Sequence, residues 1–296
     1  MATRNPLVER LSKDQPVFGG SIQCGDFIGA RTIGDSTFDY CMIDLEHEGF
    51  DMPNLGHTMQ WMLSRRRMLK TGSHFPSPAP IIRLPHHASE HTHWIASQVL
   101  DQGATGLILP YTETAKDLER MVQSMRYARQ TKDGGYVGER RVWPKAAMRY
   151  WGVDDFDEYR RMADLWPLSP DGQLILIAIV ATPLGMKNIR EITSVPGLSG
   201  IMFGAKHAWH AFGREGKIDL EDPQLVEFRN KVLEACKANG VAPGTSLSAK
   251  PPKGAGEGGF VDNPLGMPEE SGQTLWLCRD SVAPLQEAWP RLRHYD

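Results

Sequence analysis

Cysteine is scarce. Cys24, Cys41, Cys236 and Cys278 are the only four in 296 residues, and no two form a C-x-x-C pair. Scattered thiols of this kind argue against a disulfide framework and point to a reducing, cytoplasmic setting. No apolar run approaches the ~20 residues that span a bilayer, and the opening MATRNPLVERLSKDQP lacks the apolar core of a signal peptide. An excess of one charge sign is missing too. With a net charge of −3 there is no electrostatic reason to expect nucleic acid or an anionic membrane as partner. No G-x-G-x-x-G follows an apolar run, which argues against an open dinucleotide-binding sheet.

What the chain does have is a rhythm of short apolar runs. They are VFGGSI (17–22), DYCMID (39–44), PIIRL (80–84), GLILP (106–110), LILIAIV (174–180), GIMFG (200–204), VAPGTS (241–246) and TLWLC (274–278). Each is nearly continuous rather than alternating, as expected for strands covered on both faces. Helical patterns separate them, at 51–66, 88–101, 113–130, 183–192 and 222–240, with a Thr114 cap at the third and a Gly240 stop at the last. Eight strands alternating with helices predict an α/β fold closed into a (β/α)8 TIM barrel. Two stretches exceed a minimal barrel, an excursion at 131–173 and a Gly/Pro-rich loop at 250–273. Neither reads as a domain boundary, so residues 1–296 are read as a single domain.

In such a barrel the reactive residues gather at the carboxyl ends of the strands. The second strand ends on Asp44, Glu46 and His47, the third on Arg83, with His86 and His87 just beyond. Tyr111 closes the fourth, Ala181 and Thr182 the fifth, and Gly204, Ala205, Lys206 and His207 the sixth. Arg83 follows Ile81 and Ile82, where a lone cation is costly. Its donor fork suits a carboxylate or enolate oxygen, although a structural salt bridge to Asp44 or Glu46 would also account for it. His47 lies between Glu46 and Glu48, and a neighbouring carboxylate orients an imidazole for general-base work. His86, His87 and His91 have the look of a metal cluster, but their spacing is equally that of solvated histidines at a helix start. The GERR at 138–141 reads as a basic pair in a loop.

In order along residues 5–249, these motifs resemble the HpcH/HpaI aldolase/citrate lyase family. FDYCMIDLEHEGFD is similar to its strand-two motif, in which an Asp-x-Glu-His run supplies the catalytic histidine, here His47. IIRLP is similar to the strand-three motif with the substrate-binding arginine, here Arg83. QVLDQGATGLILPYTETAKDLERMVQSMRYA, GERRV, MKNIREITSVPGLSGIMFGAKH and GVAPGTSLSA follow other family segments. The resemblance implies an aldolase-type carbon–carbon lyase acting on a hydroxy-oxo acid through an enolate-like intermediate. Asp44 or Glu46 would orient His47, and backbone N–H groups at Gly204 and Ala205 would grip the substrate carboxylate. It also implies a divalent metal held by two carboxylates, and both are absent. The Glu position of ATPLGMKN is Ala181, the Asp position of Gly-Ala-Lys-His is His207, and Ile179 replaces a usual glutamine.

Three accounts remain open. His207, helped by Glu46, His210 or His87, could hold a softer metal. Lys206, Arg83 and His207 could instead stabilise an enolate without metal. Or the chain is a catalytically silent ligand-binding or assembly barrel. A decarboxylase or hydrolase using the same Arg/His pair is the enzymatic alternative. The changed pocket around Ala181, His207 and Trp209 suggests a bulkier or aromatic substrate, still a small-molecule carboxylate. The resemblance further implies a homo-oligomer, hexamer or dimer, with 281–296 as an interface segment.

Overall fold

The computed structural model describes residues 4–85, 93–247 and 275–278. Ten strands run in chain order: β1 (Val17–Gln23), β2 (Tyr40–Asp44), β3 (Ala79–Arg83), β4 (Gly106–Leu109), β5 (Arg129–Gln130), β6 (Tyr136–Val137), β7 (Ile175–Val180), β8 (Gly200–Phe203), β9 (Ala242–Leu247) and β10 (Leu275–Cys278). All eight apolar runs of the sequence are strands. Together they form one curled parallel sheet in the order β1-β2-β3-β4-β7-β8-β9-β10, and β10 also pairs with β1. The remaining two, β5 and β6, make a small antiparallel pair at the start of the excursion. The architecture is therefore α/β, with helices described after six of the eight sheet strands. The expected loop at 250–273 and the segment at 281–296 lie outside the described residues.

Strand alternation divides the core in two. Tyr40, Met42, Ala79, Ile81, Ile108, Ile175, Ile177, Ile179 and Met202 face inward and pack with Leu7, Val8 and Leu11 of the helix Pro6–Leu11. The residues between them, such as Cys41, Ile43, Ile82, Leu107, Leu176 and Ile201, face outward against the helices. This double coverage explains why the strands read as unbroken apolar runs. The short helix is held below the sheet by Asn5, whose backbone N–H and side-chain Nδ2 donate to the Oε1 and C=O of Gln173, each at 2.8 Å.

Several expected helices are shorter than their sequence patterns, for local reasons. The pattern at 51–66 breaks at Leu63, whose backbone is extended, and Ser64 caps a second helix, Arg65–Thr71. Asn188 divides 183–192 into Pro183–Lys187 and Ile189–Thr193. The helix at Ala115–Met125 starts on a reciprocal capping box between Thr114 and Asp117. It ends before 130, because Arg126 turns extended and the chain enters β5.

The basic pair of GERR is corrected by the structure. Arg140 is buried, its Nη2 donating to Asp101 Oδ1 and to Tyr159 Oη at 2.9 Å each. Its guanidinium lies 4.6 Å from the centre of the Tyr127 ring. The excursion is thus pinned to the end of the helix His93–Asp101 by a buried cation rather than hanging as a polar loop.

Close packing under β1 depends on glycine. A Cβ added to Gly19 would fall on the ring of Tyr40, which is fully buried. Gly19→Ala is expected to destabilise the protein by about 1–3 kcal/mol through overpacking, read as a lowered urea midpoint with little change in slope.

Candidate active site

Register places the polar end of the sheet. Asp44 of β2 pairs with Arg83 of β3, which in turn is level with Ile108 of β4. Both follow inward-facing residues by two positions, so their side chains point into the sheet's interior at its carboxyl end. There Arg83 Nε donates to Asp44 Oδ1 at 2.9 Å, and Nη2 donates to Asp44 Oδ2. Nη1 meets Glu46 Oε2 at 2.9 Å. Arg83 is only 4% exposed, so the structural salt bridge weighed for it is present. It does not exhaust the side chain. A guanidinium carries five N–H donors, and among the described residues these pairs use three, leaving one on Nη1 and one on Nη2.

The same Glu46 Oε2 lies 3.4 Å from His47 Nε2. One carboxylate oxygen therefore stands between the guanidinium and the imidazole, and the two residues singled out from the sequence share a compartment. His47 is half-exposed, at 53%, while the side chain of its orienting partner Glu46 is 10% exposed. Asp44 does not orient His47 directly. It is committed to Arg83 and, through Oδ1, to the backbone N–H of Glu46 at 2.9 Å. Burial alone would raise the Asp44 carboxyl. The hydrogen bonds and charge of Arg83, the Glu46 N–H and the charge of His47 outweigh it and hold that carboxyl below the usual carboxylate range.

At the end of β1, Cys24 offers no nucleophile. Burial and the nearby charge of Asp51 push its thiol up to about 11, so little thiolate exists at neutral pH.

The β7–β8 side has a different character. Ala181 and Ile179 are buried in the inward apolar layer with Met202. A Cβ on Gly204 would lie 2.8 Å from the Ala181 Cβ, so only glycine fits there. The expectation that the Gly204 N–H grips substrate is corrected, because it donates to Val180 O at 3.1 Å. Ala205 opens the helix Ala205–Ala211, where first-turn N–H groups have no acceptor within the helix. Lys206 is exposed and His207 half-buried, with the His207 ring 5.3 Å from that of Tyr111. Trp209, expected in the pocket, is buried in the outward core layer instead, its Nε1 donating to Glu215 O at 3.3 Å.

The family's carboxylate-held divalent metal does not fit these residues. Its two positions carry a methyl group in an apolar wall and an imidazole set against Tyr111, whereas a hard cation needs oxygen ligands. Glu46 is engaged with Arg83 and His47. Among the described residues no three His, Cys, Asp or Glu side chains are grouped to hold an ion; His86, His87 and His91 lie outside them. One carboxylate near β7 escaped sequence reasoning. Glu113 Oε1 accepts from the Thr182 hydroxyl at 2.7 Å, and its place just after Tyr111 in the strand-four exit was the available signal.

A cleft of about 630 Å³ lined by Arg4, Glu9, Lys13, Arg67 and Phe75 lies elsewhere. It sits by the segments that lead into β1 and β3, at the amino-terminal side of the sheet, and shares no residue with the Arg83 cluster.

The profile of the HpcH/HpaI aldolase/citrate lyase family matches residues 28–253. The hydroxypyruvate/pyruvate aldolase of Paraburkholderia phytofirmans is 25% identical over 284 residues, 96% of this chain and 97% of that one. The protein of the same name from Roseobacter denitrificans is 27% identical over 243 residues, 81% of this chain and 83% of its own. Among solved structures, an HpcH/HpaI aldolase from Desulfitobacterium hafniense shares the fold with a TM-score of 0.70, at 20% identity, over 98% of this chain and 95% of that one.

Removing the Asp44 charge tests the cluster. Asp44→Asn leaves the buried guanidinium with Glu46 as its one paired carboxylate among the described residues and is expected to cost up to about 3–5 kcal/mol at pH 7. Because the native carboxyl is held low, its contribution is complete above the unfolded value of about 4 and is lost as pH falls below it. The gap between wild type and variant should therefore shrink between pH 5 and pH 2, as measured by urea midpoints across that range.

Proposed function

We propose that this chain, which belongs to the HpcH/HpaI aldolase/citrate lyase family, is like its named relatives an aldolase-type carbon–carbon lyase of hydroxy-oxo acids, and that Arg83 and His47 carry this reaction without a carboxylate-held metal. The observation that supports the assignment is the shared Glu46 oxygen, 2.9 Å from Arg83 Nη1 and 3.4 Å from His47 Nε2. It fixes a donor fork and a base beside one another at the carboxyl end of the sheet.

In this reading the two remaining Arg83 N–H groups receive the oxo and carboxylate oxygens of a 4-hydroxy-2-oxo acid. His47 takes the proton of the C4 hydroxyl. The C3–C4 bond breaks, the aldehyde leaves, and the electron pair passes into the enolate of the remaining oxo acid. Returning the proton to C3 completes the product. Charge developing on the enolate oxygen is met by Arg83 in a buried setting, where preorganised donors act most strongly. Lys206, His207 and the N–H of Ala205 add positive potential from the β8 side. Asp44 serves by holding Arg83. We further read the sheet as a complete (β/α)8 barrel in one domain, with 131–173 inserted, working in the cytoplasm as a homo-oligomer.

Purified protein given a panel of 4-hydroxy-2-oxo acids should release pyruvate, followed by coupled reduction, and the rate should persist after chelation. His47→Ala should lower kcat by about 10²- to 10⁴-fold, while pyruvate binding changes by less than about threefold. No pyruvate from any member of the panel, with or without Mn²⁺, would exclude pyruvate aldolase action. Indifference of turnover to His47→Ala would remove that residue from the mechanism.

A further inference from the structure

Tyr111 adopts a backbone φ of +47°, a left-handed conformation that is a genuine outlier for a bulky side chain. Its neighbours hold it there. The N–H of buried Thr112 donates to Ile179 O at 3.0 Å, and the Thr112 hydroxyl donates to Leu109 O at 3.2 Å. Strained residues fixed in this way cluster where a side chain must be aimed at a ligand. Tyr111 is aimed at the same end of the sheet as Arg83, since it stands three residues beyond Ile108, the register partner of Arg83.

It reaches across a strand. In the sheet order β7 lies between β4 and β8, yet the rings of Tyr111, past β4, and His207, past β8, meet at 5.3 Å with an interplanar angle of 73°. Just past the end of β7 at Val180 stands Ala181, a single methyl that is 2% exposed. Tyr111 and His207 are each half-buried.

Resting on the lyase reading above, we propose that Tyr111, set against His207, is the specificity-determining residue for the aldehyde half of the substrate. The pair presents an edge-to-face aromatic corner that favours an aromatic or conjugated aldehyde over a short aliphatic one, because planar rings pack on such a surface edge-on or offset. A mere brace between two loops would show no dependence on which aldehyde is used.

Condensation of pyruvate with benzaldehyde and with acetaldehyde separates these. Wild type should favour benzaldehyde in kcat/KM. Tyr111→Phe should keep that preference, and Tyr111→Ala should reduce it by about tenfold, chiefly through KM for benzaldehyde. Tyr111→Leu, which keeps bulk without a ring, should lose it likewise, and serves if the alanine variant does not fold. A wild-type preference for acetaldehyde, or equal losses for both aldehydes, would overturn the specificity role alone. Failure of wild type to condense either aldehyde, or to cleave any hydroxy-oxo acid, would sink the lyase reading and this inference with it.

Discussion

A buried guanidinium gripped by two carboxylates organises the working end of this molecule. Placing Arg83, Asp44 and Glu46 out of water is expensive, and only mutual pairing makes it tolerable. The pairing is possible because β2 and β3 are parallel neighbours in a register that sets position 44 beside position 83. Everything polar nearby follows from it. Asp44 also takes the Glu46 N–H, which holds the backbone just after β2. That in turn presents Glu46 to the guanidinium and to the imidazole of His47 at once. The pair proposed for catalysis is thus tied together through one carboxylate, Glu46.

The opposite wall is built on another principle. Where β7 and β8 end, the interior stays apolar through Ile179 and Ala181, with the rings of Tyr111 and His207 in contact and the Glu113 carboxylate taken up by the Thr182 hydroxyl. An anionic guest oriented by Arg83 would have its less polar portion directed toward this apolar wall. In the family pattern the facing wall carries metal-holding carboxylates. Here the same backbone positions hold a methyl and an imidazole, Ala181 and His207.

Much of this was legible before any coordinates. The strands showed because both their faces are covered, so each reads as an apolar run, and the Asp44–Glu46–His47 segment showed because charge at the end of such a run is costly. What stayed hidden depends on contacts distant in sequence. Arg140 looked like loop charge because its partner Asp101 is 39 residues away. Trp209 looked like a pocket residue because helix position alone does not reveal which layer an indole enters. The Gly204 N–H looked available, but a strand-end donor is claimed by the neighbouring ladder. The Tyr111 turn carried no signal, since neither propensity nor periodicity marks a left-handed aromatic.

The helix Pro6–Leu11 acts as a stopper. It seals the amino-terminal end of the sheet's interior with Leu7, Val8 and Leu11 and is bolted to Gln173 by two hydrogen bonds. Among the described residues, the inward-facing side chains are thus covered at this end. Anything fused ahead of residue 4 would project from the sealed end, the full depth of the sheet away from the chemistry, while trimming back past Asn5 would uncork the interior to water from below.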